Sequence, residues 1–242
     1  MSKLKLHAPI RGIFFDIGWT LLRDVGPYWL IINKMLEYVD EKIFHAIPKT
    51  AAYDRALKYL DDNHLILSEE DELKQFEVFY SMLADDLPEL ALTKEQIREL
   101  AYSKVYDMDS HMLFDDTTPT LEALHGKYKL GVISDNFPSV EQVLRHKNIE
   151  HFFETKTISC YLGTWKPDER MYLHALEQMK LSPEQTAFID DGEENLDGAA
   201  IFGIQPIQIA GRPNEYSSGK YPYINKLSEL LDILPCEISR SH

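Results

Sequence analysis

The stretch Ile13-Phe14-Phe15-Asp16, followed by Gly18-Trp19-Thr20-Leu21, is a short apolar run that ends in a carboxylate and then turns. Bounded by Gly12 and by the turn from Asp16 to Gly18, it reads as a buried strand over residues 10–16. Three further segments belong with it. Gly131-Val132-Ile133-Ser134 is an apolar run ending in a hydroxyl. Gly163-Thr164-Trp165-Lys166-Pro167 is a loop carrying a cation, and Ala187-Phe188-Ile189-Asp190-Asp191 is an apolar run ending in two carboxylates. Ligands of open parallel sheets sit beyond the carboxyl ends of the strands. Asp16, Ser134, Asp190 and Asp191 all fall at such an end. A parallel sheet therefore gathers a nucleophile, a hydroxyl, a lysine and a metal-binding acid in one cleft, which is the inventory of phosphoryl transfer.

The rest of the pattern supports such a sheet. After Phe114, expected strands at 129–134, 155–159, 186–190 and 204–209 alternate with expected helices at 118–126, 138–147, 168–180, 193–202 and 224–234. This alternation predicts right-handed crossovers and an α/β fold, a doubly wound parallel-sheet (Rossmann-like) core covered on both faces. Ser182-Pro183-Glu184-Gln185 has the cap, N1 proline and N3 glutamine of a short helical turn. Pro206 inside the last strand predicts an edge position, where a missing N–H costs little.

Between Pro27 and Tyr106 the period changes to that of a helix. Tyr28, Ile31, Ile32 and Met35 follow i, i+3, i+4, i+7, as do Tyr53, Ala56, Leu57 and Leu60, then Phe76, Phe79, Tyr80 and Leu83; Ile97, Leu100, Ala101 and Val105 nearly do. Ser68 and Thr93 are expected N-caps, and Gln96 completes a capping-box pattern with Thr93. The expected organisation is a discontinuous core, residues 1–22 and 112–242, interrupted by an α-helical bundle of about four helices over residues 23–111, with no strand-like run of note in the insert.

Composition narrows the partners. At 242 residues the chain can bury a proper core, and its net charge of −15 argues against nucleic acid and anionic membrane as partners. An anionic substrate then needs a local positive site made by a metal ion, Lys166 and backbone N–H groups. No run of ~20 apolar residues is present to span a membrane. Met1 to Pro9 does not read as a signal peptide, and Cys160 and Cys236 read as thiols of a reducing compartment, although a disulfide stays open. The expected address is the cytoplasm. The nine histidines show no metal-ligand spacing.

The four motifs in this order, over nearly the whole chain, resemble the haloacid dehalogenase superfamily, in the branch with a helical cap inserted between the first and second motifs. That resemblance implies the following roles. Asp16 is the nucleophile, forming an aspartyl-phosphate. Asp191 is the Mg2+ ligand of the fourth motif, sharing the ion with Asp16 and the carbonyl of Gly18, while Asp190 and Asn195 support it. Ser134, helped by the backbone N–H of Asp135, binds the phosphoryl oxygens, and Lys166 neutralises both Asp16 and the transferring group. Taken singly, each has a plainer reading: a turn-capping Asp16, an acidic turn before a helix, a turn serine, a surface lysine. Asp197 is expected on the surface, and Tyr161 stands where relatives often carry an acid.

Gly18 departs from the pattern. Phosphatases of this superfamily usually carry an aspartate there, which protonates the leaving oxygen and then activates water. The implied function is a Mg2+-dependent phosphatase of a small phosphorylated metabolite, slowed by the missing acid. In this reading the cap is a lid, with Arg23, Trp29 and Arg55 as specificity candidates, and the protein is a monomer or homodimer. An attenuated phosphate-binding or regulatory protein is the alternative. A metal-independent dehalogenase tolerates Gly18 but not the acidic pair Asp190-Asp191.

Overall fold

Strands that are apolar on both faces belong in the interior of a parallel sheet, and the first motif does so in the computed structural model, which describes residues 9–210 and 217–234. In chain order the elements are β1 (Gly12–Phe15), β2 (Leu22–Asp24), α1 (Glu41–Ala46), α2 (Ala51–Asp62), α3 (Glu69–Asp86), α4 (Lys94–Tyr106) and β3 (His111–Leu113). They continue with α5 (Thr117–Leu124), β4 (Lys129–Ser134), α6 (Val140–His146), β5 (Thr155–Ile158), α7 (Ser159–Leu162) and α8 (Glu169–Met179). The last are β6 (Thr186–Asp190), α9 (Glu193–Ile201), β7 (Gln205–Ile209), β8 (Tyr223–Ile224) and α10 (Leu230–Ile233). The six-stranded sheet runs β5-β4-β1-β6-β7-β8 with parallel pairing throughout. This is the doubly wound, Rossmann-like arrangement expected from the alternation.

Side chains alternate between the faces of β1, β4 and β6. Phe14, Ile133 and Phe188 share one core with Met171, Tyr172, Ala175 and Met179 of α8 and Leu196 and Ala199 of α9, all fully buried. Phe15, one residue on, meets Phe153 edge to face at 6.4 Å. β1 is thus packed on both faces.

The chain divides into two compact units. One comprises Met1–Arg23, Leu113–Asn136 and Leu144–His242; the other comprises Asp24–Met112 and Phe137–Val143. The second contains α1 to α4. The expected caps Ser68 and Thr93, and Thr50 besides, accept N–H bonds from the third residue on, and Thr93 with Gln96 closes a full capping box. Phe76, Phe79, Tyr80 and Leu83 form the buried stripe of α3. No helix among the described residues is long and apolar enough to cross a membrane.

Four expectations need correction. The period over Tyr28–Met35 yields only a 3-10 turn, Asn33–Glu37. The Leu30 carbonyl accepts from the Tyr80 hydroxyl at 2.8 Å, a distant partner that replaces a local helical one. Two short strands, β2 and β3, lie at the ends of the insert and pair with each other. The helix expected over 224–234 is instead β8, a 3-10 turn at Leu227–Glu229 and the single turn of α10. Its buried residues Ile224, Leu227 and Leu230 recur every third position, the 3-10 period. Finally, β7 is not the edge strand. β8 pairs with it only at Gln208 and Ile209, beyond Pro206, so the proline's missing N–H faces no partner strand. The readings of residues 1–8, of 211–216 and of Cys236 lie outside the described residues; Cys160 is buried.

Candidate active site

The carboxyl ends of β4, β1 and β6 are neighbours in the sheet, so Ser134, Asp16 and Asp190 arrive at one edge. Asp16 directly follows β1, and its N–H donates to the Ile189 carbonyl at 2.9 Å, extending the β1–β6 pairing by one residue. Lys166 enters from the loop between α7 and α8. Its Nζ donates to Asp16 Oδ1 and to Asp190 Oδ2, both at 2.7 Å, and lies 3.4 Å from the Ile133 carbonyl. Its backbone N–H donates to Asp135 Oδ1 at 2.8 Å. One buried lysine therefore ties together the ends of three strands.

Asp190 is wholly buried and well bonded: besides Lys166 it accepts from the Gly192 N–H at 2.7 Å and from Asn195 Nδ2 at 3.0 and 3.2 Å. Asn195 thus acts on the acidic pair through Asp190. The Asn195 carbonyl accepts from the Tyr172 hydroxyl at 2.8 Å, and α9 approaches that ring because residue 198 is glycine. A Cβ at Gly198 would lie 2.6 Å from the Tyr172 oxygen and 2.8 Å from Pro167 Cβ, closer than atoms pack. Asp197 sits outside this cluster, paired with Lys220 and Tyr221 at the surface.

The charges do not balance. Burial pulls Lys166 down, but Asp16, Asp190 and Asp135 outweigh it and hold the ammonium well above its ordinary pKa. Asp16 is pushed up by burial, Lys166 opposes that, and Asp190 adds to it, for a net rise. Asp191 is raised by burial and then by repulsion from Asp16 and Asp190. Asp191 has no ion pair among the described residues, whereas Lys166 is already shared by two other carboxylates. Ser134 Oγ is buried and has no hydrogen-bond partner. Four carboxyl groups facing one ammonium leave an excess of negative charge beside an unsatisfied hydroxyl. Asp16, Asp191 and the Gly18 carbonyl offer the oxygen donors Mg2+ prefers. Among the described residues no three His, Cys, Asp or Glu side chains gather as a ready ligand set; Mg2+ asks for one or two carboxylates, with water and substrate oxygens as the remainder.

Two contributors, Gln208 and the Asp135 carboxylate, were not expected from the sequence. Gln208, buried on β7 beside Asp190 in the register, donates from Nε2 to the Asp191 carbonyl at 3.1 Å. Asp135 contributes its carboxylate as well as its N–H. Trp19 adopts φ 57°, a left-handed conformation unusual for a bulky residue, with its N–H on the Leu22 carbonyl at 2.7 Å. Only the glycine before it, not the tryptophan, was a turn signal. Of the specificity candidates, Arg55 is engaged by Asp86 at 2.8 Å and Trp29 packs against Phe137.

The sequence model of the haloacid dehalogenase-like hydrolases matches residues 10–203. The chain is 26% identical over 133 residues to (S)-2-haloacid dehalogenase 4A of Burkholderia cepacia, a match covering 53% of this chain and 58% of that protein. It is 30% identical over 129 residues to the GMP/IMP nucleotidase YrfG of Escherichia coli K12, covering 51% and 58%. The chain thus spans somewhat more than half the length of these relatives. A dehalogenase crystal structure with an intermediate complex superposes with a TM-score of 0.67 at 21% identity, over 95% of this chain and 99% of that one; this likeness concerns the fold.

Proposed function

Because the chain belongs to the haloacid dehalogenase-like hydrolase family, we propose that it is a Mg2+-dependent phosphomonoesterase of small phosphorylated metabolites. The observation that carries the reading is the group of carboxyls around Lys166. Asp16 Oδ1 is held by the ammonium at 2.7 Å, while Asp191 has no ion pair of its own among the described residues. A dehalogenase has no use for that second acid.

In the proposed reaction Asp16 attacks phosphorus, the ester P–O bond breaks and the leaving oxygen takes a proton. Water then attacks the aspartyl-phosphate, releasing phosphate and the Asp16 carboxylate. Lys166 stays protonated throughout and offsets the charge of Asp16 and the phosphoryl group. The Ser134 hydroxyl and the Asp135 N–H orient the phosphoryl oxygens. Mg2+, held by Asp16, Asp191 and the Gly18 carbonyl, would supply further neutralisation of those oxygens. Gly18 provides no proton, so the leaving group draws one from water, and esters with good leaving groups react fastest. The helical unit is read as the cap that selects the substrate. Nucleoside monophosphates belong in the first panel, since one relative is named for GMP and IMP. No nucleic acid or membrane partner is proposed, and a cytoplasmic address is.

The test is release of phosphate from an aryl phosphate. Turnover that requires Mg2+ and stops on adding a chelator is the expected result; turnover indifferent to the chelator, or none, contradicts the reading. The glycine at position 18 and the dehalogenase relative favour one competitor, carbon–halogen hydrolysis. Its signature is halide release from a 2-haloacid without metal.

Stability carries an independent prediction. Asp16 and Asp191 have raised pKa values in the folded, metal-free protein. Their contribution is therefore fully present below the unfolded carboxylate pKa and is lost as pH rises through the folded values, near neutrality and above. The metal-free protein is expected to lose thermal stability between pH 6 and 8.5. Mg2+, which binds the ionised carboxylates, is expected to raise Tm more at pH 8.5 than at pH 6. An Mg2+ effect equal at both pH values, or larger at pH 6, counts against the two carboxylates as ligands.

A further inference from the structure

Backbone polar groups just past the end of a strand lose the ladder and need other partners. The β6–β7 register ends at the pair Asp190–Gln208, so Asp191 lies one residue beyond it. The peptide unit between Asp191 and Gly192 is still bonded at both of its polar groups. The Asp191 carbonyl accepts from Gln208 Nε2 at 3.1 Å, and the Gly192 N–H donates to Asp190 Oδ1 at 2.7 Å. A peptide unit is planar, so turning it breaks at least one of these bonds.

Gln208 is firmly placed for this contact. Its backbone pairs with Asp190 of β6 on one side and with Tyr223 of β8 on the other, and its N–H donates to the Pro222 carbonyl at 2.9 Å. The residue is 2% exposed. The Asp191 carbonyl decides which way round the amide lies, because the reverse would set two oxygens against each other. Oε1 is then buried without a hydrogen-bond partner. Such an orphan acceptor is costly, and an apolar side chain of the same length would avoid it. Stability of the sheet alone does not account for a glutamine here.

Asp191 lacks the side-chain support its neighbour has. Its carboxyl makes no ion pair or side-chain hydrogen bond among the described residues. Asp190, by contrast, is held by Lys166, Gly192 and Asn195. The direction of the Asp191 side chain therefore depends on its backbone, and Gln208 holds the peptide unit on one side of it.

We propose that Gln208 is a positioning residue for Asp191, clamping the following peptide unit so that the carboxyl keeps one direction. This rests on the reading of Asp191 as a Mg2+ ligand. A ligand already held in one direction loses less freedom when it takes up the ion, so affinity for Mg2+ depends on the clamp. Asp191 is half-buried. With the clamp removed its carbonyl can turn to water, and the fold is kept.

The test uses the full chain after chelator treatment and the variant Gln208→Met, which keeps the side-chain length and removes the donor and the orphan acceptor together. Three quantities are measured: calorimetric affinity for Mg2+ alone, hydrogen exchange of the Gly192 amide by NMR, and Tm without metal. Gln208→Met is expected to bind Mg2+ about tenfold more weakly. Its Gly192 amide is expected to exchange roughly fivefold faster, the worth of one hydrogen bond, and its Tm to stay the same or rise. Should it not fold, Gln208→Asn draws the amide back by one methylene and is expected to show the same weaker binding and faster exchange. Undiminished Mg2+ affinity in a folded variant overturns the proposal, as does unchanged exchange at Gly192. A lower Tm with faster exchange throughout β6 and β7 also overturns it, since that marks a general loosening. A parent chain that takes up no Mg2+ overturns the ligand reading of Asp191 instead, and exchange at Gly192 then decides the clamp by itself.

Discussion

Asp16→Asn is expected to lower aryl-phosphate turnover by roughly 10⁵-fold, the scale on which hydrolases with a covalent intermediate lose rate when the nucleophile is removed. The substitution is close to isosteric. The amide oxygen of Asn can still accept from Lys166 Nζ, now 2.7 Å from Asp16 Oδ1, and Lys166 keeps its second bond to Asp190. The sheet around it is unaffected, since the Asp16 N–H bond to the Ile189 carbonyl belongs to the backbone. What disappears is the charge that makes the oxygen a nucleophile. Circular dichroism and Tm separate this outcome from misfolding. Residual turnover above about 1% of the parent, in a folded variant, would show that another group attacks phosphorus.

Gly18→Asp is expected to act in the opposite direction. Supplying a general acid at this position should raise hydrolysis of alkyl phosphates by about 10²-fold or more, and of aryl phosphates much less, because a good leaving group needs no proton. The geometry allows the change. A Cβ on Gly18 would have only Asp16 Oδ2 within reach, at 4.0 Å, and Gly18 is not among the glycines in the left-handed region. Neither a clash nor backbone strain therefore stands against a side chain there. The new carboxyl would sit near an existing carboxylate, which raises its pKa and favours the protonated form that a general acid requires. Gly18→Asn, similar in shape and unable to give up a proton, is the control and is expected to show no gain. An unchanged rate for alkyl phosphates in Gly18→Asp would mean that the missing acid does not limit this site.

The strand ends were legible because the signals are local: an apolar run buried on both faces ends abruptly at a polar residue, as at Phe15-Asp16, Ile133-Ser134 and Ile189-Asp190. Helix starts at Ser68 and Thr93 were legible for the same reason, since a cap and its partner lie within one turn. What escaped depends on distant partners. The period over Tyr28–Met35 looks helical, but the Leu30 carbonyl is taken by Tyr80, fifty positions away. Gln208 matters because the register brings β7 beside the last motif, and nothing adjacent to it in sequence marks it. Gly18 is the reverse case: the departure is plain in the sequence, and in the fold the space for an acid is still there.

Asp16 and Asp191 are expected to share one divalent cation. Calorimetric titration of Mg2+ into the chelator-treated protein, compared with Asp191→Asn and Asp16→Asn, tests it most directly. The expected result is a single site in the parent, with protons released on binding at pH 7 because both carboxyls carry raised pKa values. Affinity should be weakened at least tenfold in each variant. Undiminished binding in both variants, or a parent chain that takes up no Mg2+ in the presence of phosphate, would contradict the account.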